Sequence, residues 1–160
     1  MSPDKMRSSV VLSRVEWVRR MLSRIRELPL QSRELFFQDP RNAAAAESNL
    51  RRALEALFDL GRHITAKAFA QPSLEYKQIA VALGERGVLS MPHRDLLRVL
   101  AGYRNRLTHF YCEIDDEELF RICRDHIDDV ELLLDALLQW VHANPDRLDQ
   151  PIPNLEPRNI

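Results

Sequence analysis

Residues 41–70 read RNAAAAESNLRRALEALFDLGRHITAKAFA. The segment opens on a run of alanines, the strongest helix former. Leu50, Leu54, Leu57, Phe58, Leu60 and Ile64 then recur at helical steps, giving one apolar stripe. Asp39-Pro40 marks the break before it. A helix over about 41–70 follows, with Gly61 inside it as a point of close packing rather than an end. One long helix with one apolar stripe must be covered by other helices, and this sets the fold class.

Working outward, no segment carries a strand pattern of weight. Val10, Val11, Val15, Val18, Met21, Leu22 and Ile25 predict a helix over 7–28, closed by Pro29. Residues 30–40 are a connection with a helical turn around Glu34–Phe37. Ser73 is the expected N-cap of a short helix ending near 85, with Gly84 or Gly87 helping to close it. Ser90-Met91-Pro92 opens another, with Leu96, Leu97, Val99, Leu100, Tyr103 and Leu107 on its apolar side. Asp115-Asp116-Glu117-Glu118 provides a cap and an acidic first turn for one long last helix to about 142. The expected fold is all-α, an up-and-down bundle of about five helices. The expected domain spans residues 1–143, followed by a tail over 144–160 with Pro145, Pro151, Pro153 and Pro157. Trp17 and Trp140 are expected to anchor the first helix to the last.

Composition bounds the function. The 160 residues are 45% hydrophobic and 29% charged, as in ordinary soluble proteins, and fit one domain. No apolar run approaches the roughly 20 residues that span a bilayer. Met1-Ser2-Pro3-Asp4-Lys5 lacks the apolar core of a secretory signal, and Cys112 and Cys123 match no zinc or redox spacing, so the expected location is the cytoplasm. Residues 1–106 hold 19 Lys/Arg against 11 Asp/Glu, whereas residues 107–135 hold 2 against 10. A basic body can attract nucleic acid. The plainer expectation, and the favoured one, is that basic and acidic helix faces pair with each other.

The chemistry gathers at Arg104-Asn105-Arg106-Leu107-Thr108-His109-Phe110-Tyr111. Arg presents a planar fork of donors suited to phosphate, and His moves a proton near neutral pH. A cation, a titrating group and a phenol so close together point to chemistry on a phosphodiester. Each has a duller alternative. Arg104 could pair with Asp115 or Asp116, His109 could complement the dipole at its helix end, Tyr111 could be a core-edge aromatic, and Asn105 could be solvated. His63 and His126 sit on helical stripes, His93 follows a proline and His142 ends the last helix. None forms a metal-ligand pair at a recognised spacing, so no metal and no cofactor is expected. There is no Gly-rich phosphate loop and no serine nucleophile elbow.

The stretch Arg104-Asn105, four residues, His109 and then Tyr111 resembles the motif of the HEPN domains, and more closely of the HepT-like toxins of prokaryotic HEPN–nucleotidyltransferase pairs. Asn49-Leu50-Arg51-Arg52-Ala53-Leu54-Glu55 with Leu60-Gly61-Arg62-His63-Ile64 is similar to that family's long second helix. Tyr76, Leu83, Gly84, Glu85 and Arg86-Gly87-Val88-Leu89 resemble the lead into the motif helix. The similarity covers about residues 10–140. Arg62-His63 departs from the pattern, since many relatives carry a small or acidic polar residue there.

The resemblance implies a metal-independent endoribonuclease toxin with RNA as substrate, held inactive by a cognate minimal nucleotidyltransferase antitoxin. It implies Arg104, Asn105 and His109 as catalytic residues and Tyr111 as the acceptor of AMP. It also implies a homodimer with the active site in the groove between copies. Geometry is compatible with that, because on one straight helix positions 104 and 109 lie about 140° apart. The alternative is a non-catalytic HEPN module that binds nucleotide or docks a nucleotidyltransferase.

Overall fold

The computed structural model describes residues 3–109 and 114–154. Seven α-helices occur among them: α1 (Ser8–Arg26), α2 (Arg33–Gln38), α3 (Pro40–Phe69), α4 (Tyr76–Glu85), α5 (Met91–Thr108), α6 (Asp116–Asp125) and α7 (Ile127–Ala143). The all-α bundle expected from the sequence is present, with two more helices than the five expected. The turn around Glu34–Phe37 is a full short helix, α2. The long last helix is broken at His126 into α6 and α7. A one-residue break leaves the apolar positions on either side, Ile122, Cys123, Ile127 and Val130, near helical phase, so periodicity does not register it.

Helix α3 is the centre of the bundle and touches all six other helices. Its start obeys local rules: Asp39 caps it through the Arg41 N–H, and Pro40 occupies the first turn, where no N–H is needed. Leu50, Leu54, Leu57, Phe58, Leu60 and Ile64 are all buried. Val11, Val15, Val18, Leu22 and Ile25 of α1 and Leu133, Leu134, Leu137 and Val141 of α7 complete the same core. A Cβ on Gly61 would stand 3.0 Å from Ile79 Cγ2 and 3.3 Å from Leu83 Cδ1, so the missing side chain is what lets α4 lie against α3.

The entry to α4 differs from expectation. Its N-cap is Glu75, whose N–H is accepted by Gln78 Oε1 at 2.8 Å. Ser73 instead adopts a positive φ of 61°, which an N-cap residue in extended backbone cannot have. At the other end Gly87 takes φ +73°, turning the chain so that the Val88 and Leu89 N–H groups both reach the Leu83 carbonyl.

The two tryptophans do not join α1 to α7. Trp17 lies on the surface of α1, 37% exposed, with the Arg20 guanidinium over its ring. Trp140 packs on Phe69 of α3 and under Arg147. The chain after α7 folds back: a 3-10 turn over Pro145–Arg147 leads to Leu148, which is buried beside Met6, and Arg147 donates to the Ala68 carbonyl.

The uneven charge distribution is absorbed by packing. Arginines of the basic part reach the acidic segment: Arg26 to Asp128 and Glu131, Arg33 to Glu117, and Arg106 to Glu118. No helix among the described residues is long and apolar enough to cross a membrane.

Candidate active site

Helix α5 carries the motif. Ser90 caps it through the His93 N–H, and Leu97, Leu100 and Ala101 hold its inner face in the core. Arg104 and Asn105 lie on its last turns, half-buried. The Thr108 hydroxyl lies 3.2 Å from the Arg104 and Asn105 carbonyls and 3.4 Å from an Arg104 terminal nitrogen, tying that last turn together.

The helix stops one residue before His109. His109 is the C-cap, its N–H donating to the Asn105 carbonyl at 3.0 Å while its backbone turns extended at φ −91° and ψ 114°. Arg104, Asn105 and His109 line one open cavity of about 630 Å³, with Arg62, Tyr76 and Lys77. His109 also borders a second cavity of about 580 Å³, lined by Glu47, Asp115 and Asp116. The imidazole therefore stands where a basic hollow meets an acidic one.

Arg104 does not pair with Asp115 or Asp116. Its guanidinium lies 4.3 Å from the centroid of the Tyr76 ring, and a terminal nitrogen is 3.5 Å from Glu55 Oε1. The Arg62 guanidinium lies 5.4 Å from the same centroid and donates to the Leu74 carbonyl at 3.1 Å. Two guanidinium groups thus share one tyrosine beside the motif. The sequence signals Arg62 as a departure from the family pattern and Tyr76 as part of the lead-in, but does not show that both reach Arg104's surroundings. Glu55 carries no signal of this role, lying off the apolar stripe of α3.

Tyr111, expected as a modification acceptor, lies outside the described residues. His63 is held by its fold: its Nε2 accepts the Arg7 N–H at 2.9 Å, and burial pushes its pKa below the usual histidine range, helped by Lys67, Arg14 and Arg7 nearby. Cys123 is buried, which drives its thiol pKa up to about 12. No group of three or more His, Cys, Asp or Glu placed to hold a metal occurs among the described residues.

The fold is shared with solved structures. One is the tri-AMPylated HEPN toxin of Shewanella oneidensis in complex with MNT antitoxin, at TM-score 0.72 and 22% identity over 81% of this chain and 97% of that one. Another is YutE, a cytosolic protein of unknown function from Bacillus subtilis, at TM-score 0.70 and 18% identity over 91% of this chain and 94% of that one. In sequence, the mRNA nuclease HepT of Shewanella oneidensis is 22% identical over 130 residues, covering 81% of this chain and 97% of that protein. The family model described as ribonuclease HepT-like matches residues 18–137, three quarters of the chain and every helix from the middle of α1 into α7, and so the chain belongs to the HepT-like ribonuclease family.

Proposed function

We propose that this chain is a metal-independent endoribonuclease, acting in the cytoplasm as the toxin of a pair whose other member is a minimal nucleotidyltransferase. The observation that carries the reading is the joint presence of Arg104, Asn105 and His109 on one open cavity. In the proposed reaction the RNA 2′-oxygen forms a bond to the adjacent phosphorus and the bond from phosphorus to the 5′-oxygen breaks. The products are a cyclic phosphate and a 5′-hydroxyl. One proton leaves the 2′-hydroxyl and one arrives on the 5′-oxygen.

His109 is the group that moves a proton. Arg104 binds the scissile phosphate and the charge that grows on it in the transition state. Asn105 orients a phosphate oxygen. A second copy of the chain across a two-fold axis supplies a second imidazole, so that one acts as base and the other as acid.

The test is cleavage of RNA in EDTA. Wild type is expected to cut, and His109→Ala to lose on the order of a hundredfold or more in rate. Arg104→Lys is expected to remain impaired, because an ammonium cannot make the two-pronged contact of a guanidinium. Equal cleavage by wild type and His109→Ala would remove His109 from the mechanism. Wild type that binds RNA without cutting it would favour a non-catalytic module.

A further inference from the structure

Glu55 and Asp59 stand one turn apart on α3, beside two hollows. On one side is the cavity with Arg62 and Arg104. On the other is a cleft of about 420 Å³ between α1 and α3, lined by Arg14, Trp17, Arg51 and Arg52 and by Glu55 and Asp59 themselves. Each of the two carboxylates is shared by two arginines. Glu55 Oε1 lies 3.5 Å from Arg104 and 3.7 Å from Arg51. Asp59 lies 3.6 Å from Arg14 and 3.7 Å from Arg62.

All four separations exceed normal hydrogen-bond length. Other pairs of this protein are tight: Arg106–Glu118 and Arg33–Glu117 close to 2.6 Å. The Nε atoms of Arg14, Arg62 and Arg104 are buried and have no hydrogen-bond partner among the described residues. Arg52 has no ion-pair partner among them either. Five arginines therefore surround two carboxylates. Glu55 and Asp59 are each also met by an arginine of the other cavity, Arg104 and Arg62, so Arg14, Arg51 and Arg52 leave the cleft with a net positive charge.

We propose that the α1–α3 cleft is a second, non-catalytic subsite for single-stranded RNA. It seats the phosphate next to the scissile one on Arg14, Arg51 and Arg52, and the neighbouring base stacks on Trp17. The proposal rests on the reading of the Arg104–His109 cavity as an RNA-cutting site, and it makes the preferred substrate a strand continuing beyond the cut rather than an isolated dinucleotide. An exposed aromatic beside a positive groove is the general way proteins hold single strands without reading their sequence.

The experiment is equilibrium binding of a fluorescent RNA decamer, fully 2′-O-methylated so that it cannot be cut, to the full chain at a series of salt concentrations. Because no cleavage is read, the result stands even if the wild type proves inactive. Arg51→Ala/Arg52→Ala is expected to raise Kd about tenfold and to reduce the slope of log K against log salt by about 0.7 for each phosphate no longer neutralised. Arg24→Ala, which removes an exposed cation from another face of α1, should leave Kd and slope within error of wild type. Trp17→Ala is expected to weaken binding about fivefold or more, with Trp17→Phe retaining most of the affinity. If the double alanine variant melts early, Arg51→Gln/Arg52→Gln removes the same charges with the side-chain bulk kept. Wild-type Kd and slope in a folded double variant overturn the proposal, and so does an equal loss in Arg24→Ala.

Discussion

The Arg104 guanidinium lies over the ring of Tyr76, 4.3 Å from its centroid, although the two residues belong to different helices. A cation over an aromatic face is held in position by the ring, and the terminal nitrogens of Arg104 make long contacts, 3.4 Å to Thr108 and 3.5 Å to Glu55, that a phosphate can replace. Tyr76 is in turn steadied by Phe58, 4.9 Å away in the core. Tyr76→Ala is therefore expected to release Arg104 and slow RNA cleavage by about two- to thirtyfold, the range of one cation–π contact. Tyr76→Phe should keep most of the rate, because the ring rather than the hydroxyl does the holding. Single-turnover rates on one RNA, with melting temperatures measured alongside, check this. A Tyr76→Phe variant as slow as Tyr76→Ala, both with wild-type stability, would point to the hydroxyl instead.

We propose Tyr111, two residues after His109 in the chain, as the acceptor of AMP. Its phosphate would compete with RNA for Arg104, and its base would block entry. Co-expression with a neighbouring minimal nucleotidyltransferase is expected to add AMP masses to wild type and none to Tyr111→Phe, as read by intact-mass spectrometry. Full neutralisation of Tyr111→Phe, with no mass change on either chain, would leave simple covering of the cavity as the mode of inhibition.

Two glycines should respond in opposite directions to the same substitution. Gly61→Ala drives a methyl to 3.0 Å from Ile79 Cγ2, and overpacking of this kind costs about 1–3 kcal/mol. Gly102 sits inside α5 with nothing within 4 Å of its would-be Cβ. Gly102→Ala is expected to stabilise by about 0.5–1 kcal/mol through the lower backbone freedom of alanine. Thermal or urea unfolding of both variants measures the pair, and a stabilised Gly61→Ala would show that α4 can move away from α3 at little cost.

His63 predicts a pH dependence of stability. Its folded-state pKa lies below the ordinary 6.5, chiefly through burial, so the unfolded chain takes up the proton first. The contribution is whole above about pH 6.5 and is lost as the pH falls from there towards the folded-state value. His63→Gln keeps an acceptor for the Arg7 N–H and removes the titration. Melting temperatures from pH 7.5 to 5 are expected to fall less steeply in His63→Gln than in wild type. Parallel curves would mean that His63 protonates without disturbing the fold.

Much of the architecture follows from residues acting on their neighbours in the chain. Asp39-Pro40 starts α3 because a cap and a missing N–H are local matters, and the apolar stripe from Leu50 to Ile64 is buried because its spacing puts it on one face. The same holds for the cap at Ser90 and for the order of residues in the motif from Arg104 to His109. What needed the tertiary structure is where a helix yields and which partner a side chain chooses. α5 ends at Thr108, a termination that no periodicity reports, and His109 and Arg104 line one cavity with Arg62 and Tyr76, which are distant in the chain. Arg104 turns to Glu55 and Tyr76, far away in the chain, rather than to the carboxylates of Asp115 and Asp116 just after it. The break at His126 passes unseen because the apolar phase runs through it. Periodicity measures only which face of a segment is covered. The choice among several carboxylates or rings for one arginine depends on how whole helices cross, and that is settled by the packing of α3 against its neighbours.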